Sequence, residues 1–300
     1  MRWVDEEGLD AYVRERLAQW DELRRRVGFT DLLGRILHWR RLGSLRQRIA
    51  AIGPRSRQLP EFGELELTFL LNPDWVEPID RYLRVLHADL ARRRLLPLYS
   101  HFEGQLARDA VPRLAELNLY GAVAGVLPVE AFPRIGVGNR RSDMAVQVEG
   151  RTVYIEVTVL QASRATMEEL AAMRRLGLSY MSGSGRADAD VGRLLGKVAH
   201  ELGQVAPGQA NMIVVLQDHP EAPFDEWYVQ ATNDGLSGDF EAMDPTHRDS
   251  LQHLDSIVLC GRRHVRAVCV NATAASTAAL TLTQRRALVQ AFRLPDVMMR

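Results

Sequence analysis

Apolar positions near the start of the chain recur at three- and four-residue steps. Leu9, Tyr12, Val13, Leu17, Trp20, Leu23 and Val27 form one stripe, and Leu32, Leu33, Ile36, Leu37, Leu45 and Ile49 form a second. That spacing predicts amphipathic helices over 5–27 and 29–52. Gly28 separates them, Thr30 or Asp31 is a fitting N-cap for the second, and Gly53-Pro54 closes the pair as a helical hairpin. Residues 59–78 are irregular, with a short alternating strand at 64–69. A helix is expected over 79–95, broken by Pro97. Another is expected over 99–119, bent at Pro112 and ended by Gly121.

After Gly121 the pattern shifts towards strands. Residues 122–130 are apolar and small, as a strand allows. Met144–Val148 and Thr152–Leu160 are two further strands, and Glu149-Gly150 between them has the chemistry of a tight hairpin turn. A helix is expected over 166–176, a Ser- and Gly-rich loop over 179–188, and a helix over 189–205 with Val191, Leu194, Leu195, Val198, Leu202 and Val205 as its buried stripe. Met212–Leu216 reads as a buried central strand. Strands are also expected at 227–231, 256–260 and 265–270, and a closing helix at 283–292. The fold class is therefore α/β: a central mixed sheet flanked by helices, with an N-terminal helical region over 1–97 and the α/β domain with its C-terminal extension over 98–300.

Composition adds little to the choice of class but excludes some functions. The two cysteines, Cys260 and Cys269, make no disulfide framework, and reduced thiols in a cytoplasmic setting are expected. The first ten residues carry Asp5, Glu6 and Glu7 with no apolar run after them, and no stretch approaches the ~20 apolar residues that span a bilayer, so no membrane role is expected. Charge is uneven within a formal net charge of +0. Residues 1–58 hold 13 Arg against 8 Asp and Glu, whereas residues 218–255 hold 10 Asp and Glu against one Arg. A basic end and an acidic segment can orient a protein on a polyanion, though solvated helix faces account for the same counts.

Candidate chemistry starts from one residue. Lys197 is the only lysine, the other cations of the Lys and Arg total of 38 being arginine. Where arginine meets nearly every demand for positive charge, a retained lysine marks a place for a compact ammonium on a flexible stem. Two carboxylates give it a context. Asp143 opens one strand, and Glu156 stands inside the apolar run Val153–Val159 of the next. A hairpin turning at 149–150 sets residues near 143 and 156 across from each other. Carboxylates so close repel unless protonated or bridged by a cation, and oxygen ligands of this kind suit Mg²⁺ or Mn²⁺.

With these residues the sequence resembles the PD-(D/E)XK, or restriction-endonuclease-like, nuclease superfamily over about residues 98–217. Ser142-Asp143 stands where that family has Pro-Asp, and Glu156-Val157-Thr158 where it has Glu-X-Lys. The resemblance implies a restriction-endonuclease-like core and a metal-dependent nuclease hydrolysing phosphodiester bonds, with DNA as the first partner. It implies metal held by Asp143, Glu156 and the Val157 carbonyl. It also implies an auxiliary acid, Glu103, in Phe102-Glu103-Gly104-Gln105-Leu106. Thr158 departs from the motif lysine. Some members are similar in carrying that lysine on the following helix, and Lys197 fits there. The alternative is a catalytically inactive nuclease-like module that binds nucleic acid or a protein partner, with Trp3, Trp20 and Trp39 of the N-terminal helices as a homodimer or partner interface. A zinc site from Cys260, His264 and Cys269 lacks a fourth ligand, and the cysteines read better as small core residues.

Overall fold

The computed structural model describes residues 75–108, 110–136, 139–160, 184–217, 226–236, 249–261 and 265–292, with eight isolated positions between 11 and 32. The helices expected over 5–27 and 29–52, the strand at 64–69 and the helix at 166–176 lie outside the described residues, isolated positions apart. The chain groups into two compact units, Met1–Asn118 (with Arg300) and Leu119–Met299. The division expected at 97/98 falls inside the second helix described below, whose first turn holds Pro97.

In the N-terminal unit, α1 (Val76–Arg92) buries Ile79, Tyr82, Leu83, Leu86 and Leu90 along one face, and α2 (Leu96–Arg108) follows within four residues. His87 and Tyr99 meet edge to face across this helical corner, with ring centroids 4.8 Å apart. Pro97 sits in the first turn of α2, where its missing N–H costs nothing. The helix expected to bend at Pro112 is instead two helices, and Pro112 lies in the first turn of α3 (Ala110–Ala124). Gly121 does not end α3. The small apolar residues after it continue the helix, Val123 being fully buried, and so the strand expected over 122–130 shrinks to β1 (Val129–Ala131).

The second unit is built on a six-stranded mixed sheet, flanked by helices, in the order β1 to β6. The remaining strands are β2 (Met144–Val148), β3 (Arg151–Leu160), β4 (Ala210–Gln217), β5 (Leu254–Cys260) and β6 (Val265–Val270). β1, β2 and β3 are antiparallel neighbours, β3, β4 and β5 run parallel, and β6 returns antiparallel to β5. Every residue of β4 is buried, as a strand covered on both faces requires. α4 (Ser184–Leu202) makes the crossover between β3 and β4. It starts earlier than expected, so 184–188 is helix rather than loop, while 179–183 lies outside the described residues.

Leu194, Val198 and Leu202 of α4 pack in one apolar cluster with Leu160, Ile213, Val215, Ile257, Leu259 and Cys269 from β3 to β6. The segment at 227–231, expected as a strand, is the helix α5 (Glu226–Asp234). The β-favouring run Trp227-Tyr228-Val229 is overridden by packing: Tyr228 and Thr232, one turn apart, are both buried, and the Thr232 hydroxyl donates to the Tyr228 carbonyl at 2.7 Å. α6 (Leu282–Ala291) opens with a reciprocal capping box between Thr281 and Gln284 and packs against β2.

Candidate functional site

The β2–β3 hairpin sets the geometry of the site. Glu149 (φ 47°) and Gly150 (φ 77°) both lie in the left-handed region, as a two-residue turn of type I′ demands. The turn fixes the register Val148↔Arg151 through Met144↔Ile155. The next step along the same ladder brings Asp143 opposite Glu156. Strand alternation turns Glu156, Thr158 and Leu160 to one face of β3, the face that Leu160 shares with the buried stripe of α4. Glu156 is thus directed beneath a helix, only 3% exposed.

Three contacts hold the acid pair. The Asp143 carboxylate accepts the Val157 backbone N–H at 2.7 Å, completing the ladder where β2 has ended. The N–H and C=O of a strand residue leave on the same side, so the Val157 carbonyl also points towards Asp143. Ser142, fully buried, lies 3.0 Å from the Ile155 carbonyl, and its hydroxyl also serves the Glu156 carboxylate. Glu156 Oε1 is buried with no hydrogen-bond partner among the described residues. A buried, unserved carboxylate oxygen is costly and calls for a proton or a cation. Burial first, and then the charge of Asp143, holds the Glu156 carboxyl well above the usual carboxylate range. The Ser142 hydroxyl and the Asp143 backbone amide oppose that rise.

A third acid, not assigned to the site from the sequence, completes the group. Glu201 on α4 is 8% exposed. The Thr158 hydroxyl serves it from below, and Gln204 Nε2 donates to its Oε2 at 2.7 Å. Burial and the charge of Asp143 push its carboxyl up to about 7, against the Thr158 hydrogen bond and the charge of Lys197. Lys197 lies one turn before Glu201 and is half-buried, and no carboxylate comes within ion-pair distance of it among the described residues. Its charge therefore acts on Glu201 across a gap. The signal in the sequence was an acid set among Leu194, Val198, Leu202 and Val205, on the face of a helix that otherwise buries apolar side chains.

The structure thus brings Asp143, Glu156, Val157 and Glu201 together around the junction of β2, β3 and α4, with Lys197 linked to them only through its charge on Glu201. Glu103 lies half-buried on α2, in the other unit. Among the described residues no three His, Cys, Asp or Glu side chains converge closely enough to cage a metal ion. Two facing carboxylates, an unserved oxygen and a nearby carbonyl nonetheless fit a hard divalent cation that keeps several waters. No family model, no curated protein and no solved structure matches this chain. The thiols lie apart from it: burial pushes Cys260 up to about 12 and Cys269 up to about 11, and His264 lies outside the described residues.

The raised acids imply a pH-dependent stability. Folded Glu201 binds its proton more tightly than the unfolded side chain, whose pKa is 4.5, so the folded state holds the extra proton between pH 4.5 and about 7. Stability is fully present below that window and falls as pH rises through it, by about 3 kcal/mol for this one group. Glu156 acts in the same direction. Chemical unfolding in the presence of a chelator should show the wild type losing more stability between pH 5 and pH 8 than Glu201→Gln does. Equal losses in the two proteins would remove Glu201 as the cause.

Proposed function

We propose that this chain is a metal-dependent phosphodiesterase acting on nucleic acid, DNA first, with a restriction-endonuclease-like core. The observation that carries the reading is the buried Glu156 oxygen without a hydrogen-bond partner, directly across the hairpin from Asp143. Asp143, Glu156 and the Val157 carbonyl hold Mg²⁺ or Mn²⁺, which supplies Lewis-acid stabilisation of the phosphoryl oxygens when bound. Lys197 adds a positive charge where negative charge develops on the scissile phosphate. Glu201, ionising near pH 7, is a fitting proton acceptor for the attacking water, because a general base works best when its pKa is near the working pH. Thr158 replaces the motif lysine and hydrogen-bonds to Glu201, which ties the strand to the helix that carries the remaining cation.

Cleavage of DNA and RNA with Mg²⁺ or Mn²⁺, run beside Asp143→Ala, Glu156→Ala and Lys197→Ala, tests the reading, and activity unchanged in all three variants would sink it. Lys197→Arg is expected to lose most of the activity, since a planar guanidinium cannot take the place of a compact ammonium on a half-buried stem. Full activity in Lys197→Arg would reduce this residue to a generic positive charge.

A second reading has one observation in its favour. With Thr158 at the motif position and no carboxylate in ion-pair range of Lys197 among the described residues, the same architecture suits a catalytically inactive module that binds nucleic acid or a protein partner. Calorimetry separates the two, because metal uptake that depends on Asp143 and Glu156 is required only by the phosphodiesterase.

A further inference from the structure

The segment joining β1 to β2 is more than a connection. Backbone pairing continues beyond both strands: Phe132 N–H donates to the Asp143 carbonyl at 3.0 Å, Ser142 N–H to the Pro133 carbonyl at 3.1 Å, and Ile135 N–H to the Arg140 carbonyl at 3.0 Å. Arg134 stands opposite Arg141 as an isolated antiparallel pair. Residues 132–136 and 139–143 therefore form a two-stranded arm whose root is Asp143.

Two features of the arm are costly unless they serve something. The first is Phe132, a bulky residue in the left-handed region (φ 50°). Arg141 Nη1 donates to its carbonyl at 2.5 Å and so clamps the kink that aims the arm. Strain of this kind, kept beside a candidate site, points to a positioning role. The second is charge. Residues 132–142 contain Arg134, Arg140 and Arg141 and no acid. Arg134 and Arg141 face each other across a pair that shares no backbone hydrogen bonds, where Cα atoms approach to about 4.5 Å and like charges are destabilising. Arg134 and Arg140 are exposed, with no acidic partner in ion-pair range among the described residues.

We infer that this arm grips the phosphate backbone of nucleic acid beside the acid pair. The inference rests on the proposed phosphodiesterase reading and names how its substrate is held. Arg141 sets the arm, and Arg134 and Arg140, turned to opposite faces of it by strand alternation, make the contacts from its two sides. Along an extended strand Arg140 lies about 10 Å from Asp143, at ~3.4 Å per residue. Each strand of a duplex rises about 3.4 Å per nucleotide, so the arm reaches phosphates two or three nucleotides from the one at the acid pair. Guanidinium groups suit this task because their donors match phosphate oxygens in pairs.

Fluorescence anisotropy with a short labelled DNA duplex, in chelator so that no cleavage occurs, tests the arm. Arg134→Ala/Arg140→Ala should bind about tenfold more weakly, and the slope of log K against log salt should shrink by about 2, since each lost phosphate contact contributes ~0.9. The charge-matched pair Arg266→Ala/Arg286→Ala, exposed on β6 and α6, should bind like the wild type. Unchanged binding in the arm variant, equal weakening in the control pair, or wild-type binding to phosphatidylserine vesicles but not to the duplex would each overturn the inference. Steady-state cleavage with Mg²⁺ separates it from the reading beneath it. Wild-type cleavage with an arm variant of unaltered affinity and KM removes the arm and keeps the phosphodiesterase. Arm-dependent binding without cleavage in Mg²⁺ or Mn²⁺ keeps the arm and removes the phosphodiesterase.

Discussion

If the chain is the metal-dependent phosphodiesterase proposed above, Glu156→Gln is expected to abolish its cleavage while making the metal-free protein more stable. The two effects have one cause. The wild-type carboxylate is buried opposite Asp143 with Oε1 unserved, a state that burial and like charge both oppose. Glutamine keeps the shape and removes the charge. Removing a buried charge that faces another carboxylate is worth on the order of 1–3 kcal/mol, so thermal unfolding in chelator should shift upward. Losing the proposed metal ligand forfeits several kcal/mol of transition-state stabilisation. At about 1.4 kcal/mol per tenfold, that is a fall in kcat on the order of 10³. Calorimetry on the same variant should find no Mg²⁺ uptake. A variant less stable than the wild type, with metal uptake intact, would show that Glu156 is a structural acid. The opposed signs are characteristic of groups held for function at the expense of the fold.

The second large effect concerns stability alone. Asp255→Ala should lower stability by about 3–5 kcal/mol, because it removes one half of a buried ion pair and strands the other. Asp255 is fully buried near the start of β5. Its oxygens accept from Leu280 N–H at 2.6 Å, from Ser256 Oγ at 2.8 Å, and from the Arg285 guanidinium at 2.9 Å and 2.7 Å. The Asp255 hydrogen bonds raise the Arg285 pKa, so the cation persists at any working pH. This bidentate fork ties α6 to the sheet. The melting temperature should fall by about 10 °C or more in a unit of this size. Replacing both partners together, as Asp255→Leu/Arg285→Met, should recover much of that loss, since the double change leaves no orphaned charge. If Asp255→Ala melts like the wild type, the fork contributes nothing net.

Local pattern was sufficient where one rule dominated. The β2–β3 hairpin was legible because period-two alternation and Glu149-Gly150 agree, and the register that sets Asp143 against Glu156 follows from turn length alone. β4 was legible as an apolar run. α5 was not, because Trp227, Tyr228 and Val229 favour strands, and only burial of Tyr228 and Thr232 on one side reveals the helix. Gly121 suggested a helix end, yet nothing about a glycine forces one when apolar neighbours continue the buried face. Glu201 carried a local signal, an acid on the apolar face of its helix, but the signal did not say what it would meet. Its place over Thr158 depends on how α4 crosses β3, which is a long-range fact. The kink at Phe132 was illegible for the same reason: a left-handed phenylalanine is held by a partner nine residues away.

The two-residue turn at Glu149-Gly150 has a further consequence for how this chain can change. Between Asp143 and Glu156 an exposed side chain such as Gln147 can be exchanged freely, but the count of residues cannot be changed, because one more or one fewer at the bend would swing the second acid out from under α4 and leave the first facing a hydrocarbon neighbour. The span behaves like a ruler: its markings can be repainted, but its length is the inheritance.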